Sequence, residues 1–262
     1  MDMDDAYANA AYIPDAETFP PRWAVAAGVF RDSLGARAEL GLAYGDSERQ
    51  RFDLFHPEGA AKGTVIFVHG GYWRAFDRSN WSHLAAGPLA RGWAVAMPGY
   101  DLCPDVHIRD ITRQIARAVE AIAARTTGPI ALTGHSAGGH LASRMLDRAL
   151  LSPATAERLS AVVPISPLSD LRPLRETAMN ADFDMNEDEA IAESPVFMAS
   201  RHDLPVKVWV GGAERPAFLD QAQWLAEAWQ IERVVIPDKH HFDIIDDLAD
   251  PDGQLVEILT GG

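Results

Sequence analysis

The segment Gly134–Gly138, which reads GHSAG, constrains the fold of this chain more than any other feature. The apolar residues from Ile130 suit a buried strand, and small or helix-forming residues follow from Ala137. A chain that turns from strand to helix this sharply strains its central residue, and glycine two positions away on either side avoids steric collision. We therefore predict that Ser136 lies at the end of a sheet, beside a helix N-terminus that favours negative charge.

Strand-like and helix-like segments alternate along the chain. Two strands, at 39–44 and 51–55, are predicted to form a hairpin at the sheet edge. Six further apolar runs follow, at 64–68, 93–97, 130–133, 161–165, 207–210 and 233–236. Helical periodicity is found at 23–34, 80–90, 106–125, from 137, at 216–229 and from 242. This alternation predicts an α/β fold with a mostly parallel eight-stranded sheet and helices on both faces.

Two segments depart from this alternation of strands and helices. Residues 1–22 carry aromatic residues and prolines without a period, and they indicate an arm lying across the domain. Residues from about 166 to 200 are polar, acidic and rich in proline, which predicts a small helical, cap-like insertion after the sixth strand. Such insertions often shape a substrate pocket. No linker separates these parts, so we expect a single domain over residues 1–262.

Composition narrows the classes of partner. Asp and Glu number 38 against 23 Lys and Arg, and the net charge of −15 makes nucleic acids and anionic membranes poor partners.

The acidic start does not resemble a signal peptide, and one cysteine, Cys103, excludes an internal disulfide. We expect a cytoplasmic location and a buried, unreactive Cys103. The sequence leaves the oligomeric state open, with a homodimer as one option.

Chemically reactive residues follow four of the predicted strands. They are the His69–Trp73 segment, Ser136, Glu214 and the pair His240-His241. Because the carboxyl ends of parallel strands meet at one crevice, these residues should converge. Their order along the chain is oxyanion loop, serine, acid and histidine, which is the order expected of an α/β-hydrolase.

The Gly70-Gly71 pair has two interpretations. It can be a simple tight turn, or it can expose backbone amides to the site. In the second case the N–H groups of Gly71, Tyr72 and Ala137 would form an oxyanion hole. We expect His69 to brace this loop rather than to transfer protons, and His135 and His140 to be structural.

Glu214 is the best placed acid, because it follows two glycines at the end of a strand. The base is His240 or His241, since adjacent side chains cannot both point into the site. We favour His241, on the expectation that Phe242 opens the last helix and packs inward. His240 and Trp73 are then candidates for the pocket wall.

Neither H-E-x-x-H nor C-x-x-C occurs, so we expect no metal and no cofactor.

Five sequence blocks together resemble one known family: HGGYWR, YDLCP, GHSAGGHLA, PISPLSDLRPL and HHFDII. The chain is similar to the arylformamidase-like (kynurenine formamidase-like) branch of the α/β-hydrolases, from about Tyr7 to the last helix. The resemblance implies a catalytic triad at Ser136, Glu214 and His241. Tyr72 replaces the third glycine of the HGGG block of related esterases, and Glu214 replaces the usual aspartate.

These features predict a serine hydrolase acting on a small-molecule substrate through an acyl-enzyme. Tyr72 and Trp73 would narrow the acyl side, which favours a short acyl such as formyl or acetyl. The resemblance implies an aryl leaving group. A carboxylesterase or thioesterase with the same mechanism is the alternative, and a non-catalytic binding protein is a third hypothesis from another class.

Overall fold

The computed structural model describes residues 2–261 and places eight strands in one sheet. The strands are β1 (Ala38–Ala43), β2 (Arg51–Phe55), β3 (Thr64–Val68), β4 (Ala94–Pro98), β5 (Ile130–His135), β6 (Leu159–Ile165), β7 (Lys207–Gly211) and β8 (Glu232–Ile236). Their spatial order is β1-β2-β4-β3-β5-β6-β7-β8. β2 runs antiparallel to both of its neighbours, whereas β3 to β8 are parallel. The predicted eight-stranded, mostly parallel sheet is confirmed.

Helices connect these strands. Within residues 2–261 the α-helices are α1 (Met3–Ala6), α2 (Phe19–Leu34), α3 (Ala86–Ala90), α4 (Ile108–Arg125), α5 (Ala137–Arg144), α6 (Pro153–Ala156), α7 (Asn180–Phe183), α8 (Glu187–Glu193), α9 (Pro216–Trp229) and α10 (Gln254–Thr260). Short 3₁₀ helices occur at Ala10–Tyr12, Ala16–Thr18, Gly35–Arg37, Arg78–Asn80, Ser82–Ala85, Arg172–Glu176, Pro195–Phe197 and Asp246–Ala249. No helix in the described part of the chain is long and apolar enough to cross a membrane.

The sheet is covered by helices on both faces, as predicted. Successive side chains of a strand point to opposite faces. Ile66 of β3 therefore packs in one apolar cluster with Ile115 of α4, while Val65 packs in the other with Trp23 of α2. All five residues of β3 are buried. This burial on both faces explains why the central strands read as continuous apolar runs.

The segment after β6 is helical, as expected for the insertion. It contains α7, α8 and two 3₁₀ helices, at Arg172–Glu176 and Pro195–Phe197. The N-terminal arm precedes the sheet and comprises α1 and two 3₁₀ turns, at Ala10–Tyr12 and Ala16–Thr18. It ends where α2 begins at Phe19, four residues before the predicted start at Trp23. Pro20 and Pro21 fit there, because the N–H groups of a first helical turn have no acceptor within the helix.

Two predicted helices were wrong in extent. Residues 80–90 form only the short α3 after two 3₁₀ turns, because Pro88 has no N–H to bond to Leu84 and interrupts a continuous helix. Phe242 does not open the last helix, which begins at Gln254 after turns and a 3₁₀ segment. Pro251 disfavours helical conformation in the residue before it, so a helix from Phe242 cannot extend into α10.

The central strand β5 gives a test of the packing. Leu132 is fully buried, whereas Leu40 on the edge strand β1 is 53% exposed. We expect Leu132→Ala to lower the free energy of unfolding by about 3 kcal/mol, through lost burial and the cavity it leaves. Leu40→Ala should change it by less than about 0.5 kcal/mol. Denaturant titration measures both free energies of unfolding, and equal losses would contradict the difference in burial between the two leucines.

Candidate active site

The carboxyl ends of four parallel strands meet above the sheet. The loop at His69 follows β3, Ser136 follows β5, Glu214 lies shortly after β7, and His241 lies shortly after β8. A cavity of about 330 Å³ is lined by both Ser136 and His241. Gly71 and Tyr72 also line it. The structure therefore brings the predicted serine, histidine and oxyanion loop to one cavity.

Ser136 occupies a strained turn between β5 and α5. Its φ of 57° and ψ of −118° are unfavourable for a residue with a side chain. Its N–H donates to the Ile165 carbonyl oxygen at 2.8 Å, which ties the turn to β6. A Cβ atom on Gly138 would lie 2.0 Å from the Val68 carbonyl oxygen, and one on Gly134 would lie 2.3 Å from that of Gly138. Both glycines are therefore required for the turn to close.

Glu214 and His241 form a buried hydrogen-bonded pair. Glu214 Oε2 lies 2.6 Å from His241 Nδ1, and the glutamate side chain is 0% exposed. Its other oxygen accepts the Gly211 N–H at 3.0 Å and the Ser166 hydroxyl. An ionised carboxylate can only accept, so Nδ1 of His241 carries the hydrogen. Nε2 of His241 is then the ring nitrogen available as a base.

The loop after β3 adopts left-handed backbone at successive residues. Gly71 has a φ of 110° and Tyr72 a φ of 51°. A Cβ atom on Gly71 would lie 2.5 Å from the Ala75 carbonyl oxygen, so a side chain does not fit. Ala137 is the first residue of α5, where amides have no acceptor inside the helix. The three predicted oxyanion-hole residues thus lie on two segments that adjoin Ser136.

Three buried histidines near the site are neutral. His69 Nδ1 donates to the Gly70 carbonyl oxygen at 2.7 Å and its ring stacks on Tyr100, and burial lowers the pKa of His69 to about 4. Burial also lowers the pKa of His140 to about 3, while Nε2 of this ring contacts the Glu193 carbonyl oxygen at 2.8 Å. Burial, followed by the neighbouring His241, holds the pKa of His135 well below its usual value.

Two residues predicted to line the pocket lie outside the cavity. Trp73 is 0% exposed and packs edge-on against His140 and Phe183, because its own left-handed backbone (φ 56°) turns it into the core. His240 lies edge-on to Phe19, and its Nδ1 accepts the Phe242 N–H at 3.1 Å. Its side chain therefore stabilises the local turn and is separated from the cavity that contains Ser136.

The sequence did not reveal several residues of the site. Ser166, which follows β6 with a φ of 45°, is fully buried against Glu214. Its position just past a parallel strand was the one signal that could have found it. The arm supplies Tyr7 and Asn9 to the cavity wall, and the Tyr72 hydroxyl donates to the Tyr7 carbonyl oxygen at 2.7 Å. Nothing local in the sequence of the arm indicates this contact.

The described residues contain no group of three or more His, Cys, Asp or Glu side chains arranged to hold a metal ion. Cys103 is buried, and burial raises the pKa of its thiol to about 12. The thiolate form is therefore strongly disfavoured at neutral pH. The polar side chains that converge on the cavity are those of acid–base and nucleophilic chemistry.

Comparison with known proteins agrees with this architecture. The family described as the alpha/beta hydrolase fold matches residues 65–236. Kynurenine formamidase of Salmo salar is 26% identical over 239 residues, which cover 86% of this chain and 81% of the relative. The enzyme of that name from Drosophila melanogaster is 29% identical over 240 residues, covering 83% of this chain and 79% of that protein.

Solved structures show the same fold. A candidate thioesterase from Silicibacter sp. tm1040 has a TM-score of 0.98 and 60% identity over 100% of both chains. Esterase B of Lactobacillus rhamnosis has a TM-score of 0.67 at 21% identity, covering 93% of this chain and 92% of its own. The family match extends from β3 to β8 and includes Ser136 and Glu214. The chain therefore belongs to the α/β-hydrolase family, and it resembles the arylformamidase-like branch of that family.

Proposed function

We propose that this hydrolase cleaves short-acyl esters or aryl formamides through an acyl-enzyme on Ser136. His241 acts as the general base and Glu214 orients it. The observation that carries the proposal is the buried Glu214–His241 pair, 2.6 Å apart, beside the cavity that the strained Ser136 also lines. A nucleophile and a base on one cavity, with an acid that orients the base, are the requirement for this chemistry.

The reaction proceeds in two acyl-transfer steps. His241 Nε2 removes the Ser136 proton as Oγ attacks the carbonyl carbon of the substrate. The resulting oxyanion accepts hydrogen bonds from the amides of Gly71, Tyr72 and Ala137, each worth ~3 kcal/mol in such sites. Protonated His241 then gives its proton to the leaving oxygen or nitrogen. His241 then removes a proton from a water molecule, which attacks the acyl-enzyme. The bond to Ser136 Oγ breaks, His241 returns the proton to Oγ, and the carboxylic acid is released, while Glu214 stays ionised throughout.

The aryl formamide assignment draws on the relatives and on the cavity. Two curated relatives named kynurenine formamidase cover most of the chain. The volume of about 330 Å³ and the aromatic wall suit a small substrate with an aryl group. A formamide releases an amine, which leaves only when its nitrogen is protonated. His241, held by Glu214, supplies that proton.

A carboxylesterase or thioesterase activity is the second candidate. It is favoured by the 60% identical Silicibacter protein, which is named as a candidate thioesterase. The same residues would act, but a thiolate leaves without protonation, so thioester cleavage depends less on His241 as an acid. A non-catalytic binding protein would need neither the strained backbone of Ser136 nor the buried Glu214–His241 pair.

A substrate panel separates these activities. Formanilide as an uncharged aryl formamide, phenyl acetate and an acetyl thioester should be assayed with the natural chain and with Ser136→Ala. We expect formamide and ester turnover by the natural chain and no turnover by the variant. A fluorophosphonate should label the natural chain only. Ester turnover without formamide cleavage would contradict the formamidase assignment, and labelling of Ser136→Ala would contradict the assigned nucleophile.

The two adjacent histidines provide a matched pair. His241→Ala removes the base, and we expect kcat to fall at least about a thousandfold. His240→Ala removes a side chain that lies outside the cavity, and kcat should stay within about threefold, a change of less than ~1 kcal/mol in the barrier. Steady-state kinetics on phenyl acetate measure both, and the reverse pattern would assign the base to His240.

Ser166 is expected to position the acid. Its hydroxyl stabilises the charge of Glu214, and without it the carboxylate holds a protonated His241 more firmly. Ser166→Ala should then lower kcat about tenfold. The acid limb of the pH–rate profile should move to higher pH, because a higher pH is needed to reach the neutral base. An unchanged profile in Ser166→Ala would refute the role.

A further inference from the structure

The cavity at Ser136 is electrically neutral. Among the described residues, none that line it is Asp, Glu, Lys or Arg. Much of its wall is aromatic, formed by Tyr7, Trp23, Tyr72, Phe76, Trp81 and Phe242. Burial raises the pKa of Tyr7 to about 12 and keeps His135 uncharged. A charged group placed in this cavity would lose its hydration without gaining a counter-charge.

Several buried polar atoms in this wall have no partner within the described chain. They are both amide atoms of Asn9, Nε1 of Trp81 and Nε2 of His135. These residues are only 5%, 2% and 4% exposed, and all three line the same cavity. Native proteins pair nearly all of their buried polar atoms, because an unpaired one destabilises the folded state. A ligand in the cavity with matching donors and acceptors would complete the hydrogen bonds of these three side chains.

Asn9 is the residue of this group with both a donor and an acceptor. Its backbone is already engaged, since its N–H donates to the Tyr7 carbonyl oxygen at 3.1 Å and its carbonyl oxygen accepts from Tyr12 at 3.0 Å. Its carboxamide takes part in none of these contacts. The side chain therefore does not serve as a turn or helix cap, the usual structural uses of asparagine.

The arm is fixed to the domain on both sides of Asn9. Before it, the Tyr7 hydroxyl accepts from Gln221 at 2.8 Å. Around it, Arg215 donates to Asp5 Oδ2 at 2.8 Å and lies over the Tyr12 ring at 3.5 Å from its centroid. Because these contacts hold the backbone, the Asn9 carboxamide is presented in a defined place. Such fixed placement reduces the entropy lost when a ligand binds.

We propose that the Asn9 carboxamide binds a neutral hydrogen-bonding group, such as a carboxamide, on an otherwise apolar aryl substrate of the Ser136 site. The N-terminal arm then selects the substrate, while the strand-end loops perform the chemistry. This inference rests on the proposed function for its catalytic consequence. Its binding content stands on the unpaired atoms and the uncharged wall alone.

Matched substrates test the proposal. Phenyl acetates with a ring carboxamide are compared with the isopropyl analogues of the same shape, at each ring position. The natural chain should prefer the carboxamide member of at least one pair in kcat/KM. Asn9→Leu should lower that preference about tenfold, which corresponds to ~1.4 kcal/mol, and mainly through KM. Glu17→Leu makes the same kind of change at an exposed arm residue outside the cavity and should keep the preference.

A preference that falls by less than about threefold (~0.7 kcal/mol) in Asn9→Leu, or that is absent from the natural chain, would overturn the proposal. If Asn9→Leu does not fold, Asn9→Ala replaces it, since it only removes atoms. Folding has its own readout, because removing an unpaired buried amide should leave the thermal midpoint unchanged or raise it. A structural role for Asn9 predicts the opposite shift.

A binding measurement separates this inference from the proposed function. Benzamide and isopropylbenzene are titrated into Ser136→Ala and into Ser136→Ala with Asn9→Leu, using ligand-observed NMR. We expect benzamide to bind the single variant more tightly and to lose that advantage in the double variant. This result would hold even if the natural chain hydrolysed none of the acyl substrates. Equal binding of benzamide to both variants would overturn the role of Asn9 while leaving the catalytic proposal intact.

Discussion

The close contact between the start of α5 and the end of β3 is the constraint on which the site depends. A Cβ atom on Gly138 would lie 2.0 Å from the carbonyl oxygen of Val68 and 2.6 Å from that of His69. With glycine there, the helix sits directly on the strand end. Ser136 and the first amides of α5 are thereby held beside the loop that carries Gly71 and Tyr72. The strained backbone of Ser136 persists because both neighbouring strands fix it.

Charge is distributed unevenly between the surface and the site. The chain carries a net charge of −15, yet within its described residues the cavity wall has no Asp, Glu, Lys or Arg side chain. A carboxylate beside it, Glu214, is buried but not isolated, since the Gly211 amide, Ser166 and His241 all bond to it. A glutamate can fold back over the backbone of Gly211 to reach these partners. This geometry gives a physical reason for a glutamate at position 214.

The sheet could be predicted from the sequence because each strand is marked by a local pattern of apolar residues. A continuous apolar run such as 64–68 is buried on both faces, and the alternation of strands and helices fixes parallel pairing. Parallel pairing then brings the strand ends together, which predicted that residues as distant as Ser136 and His241 share one edge. The predictions that were wrong lie in loops, where Trp73 turns into the core, and in two helices, which Pro88 and Pro251 interrupt. Loop direction depends on backbone angles that neighbouring residues alone do not specify.

The sequence by itself determined the fold class, the turn at Ser136 and the identity of the strand ends that carry reactive side chains. Each of these follows from steric demands within a few residues or from the period of burial. Only the tertiary structure decided which side chains touch across long separations, as in the bond from Ser166 to Glu214, or from Tyr72 to Tyr7. Such contacts join segments 48 and 65 residues apart in the chain. Their geometry is set by the packing of all the elements between them, so no local pattern encodes it.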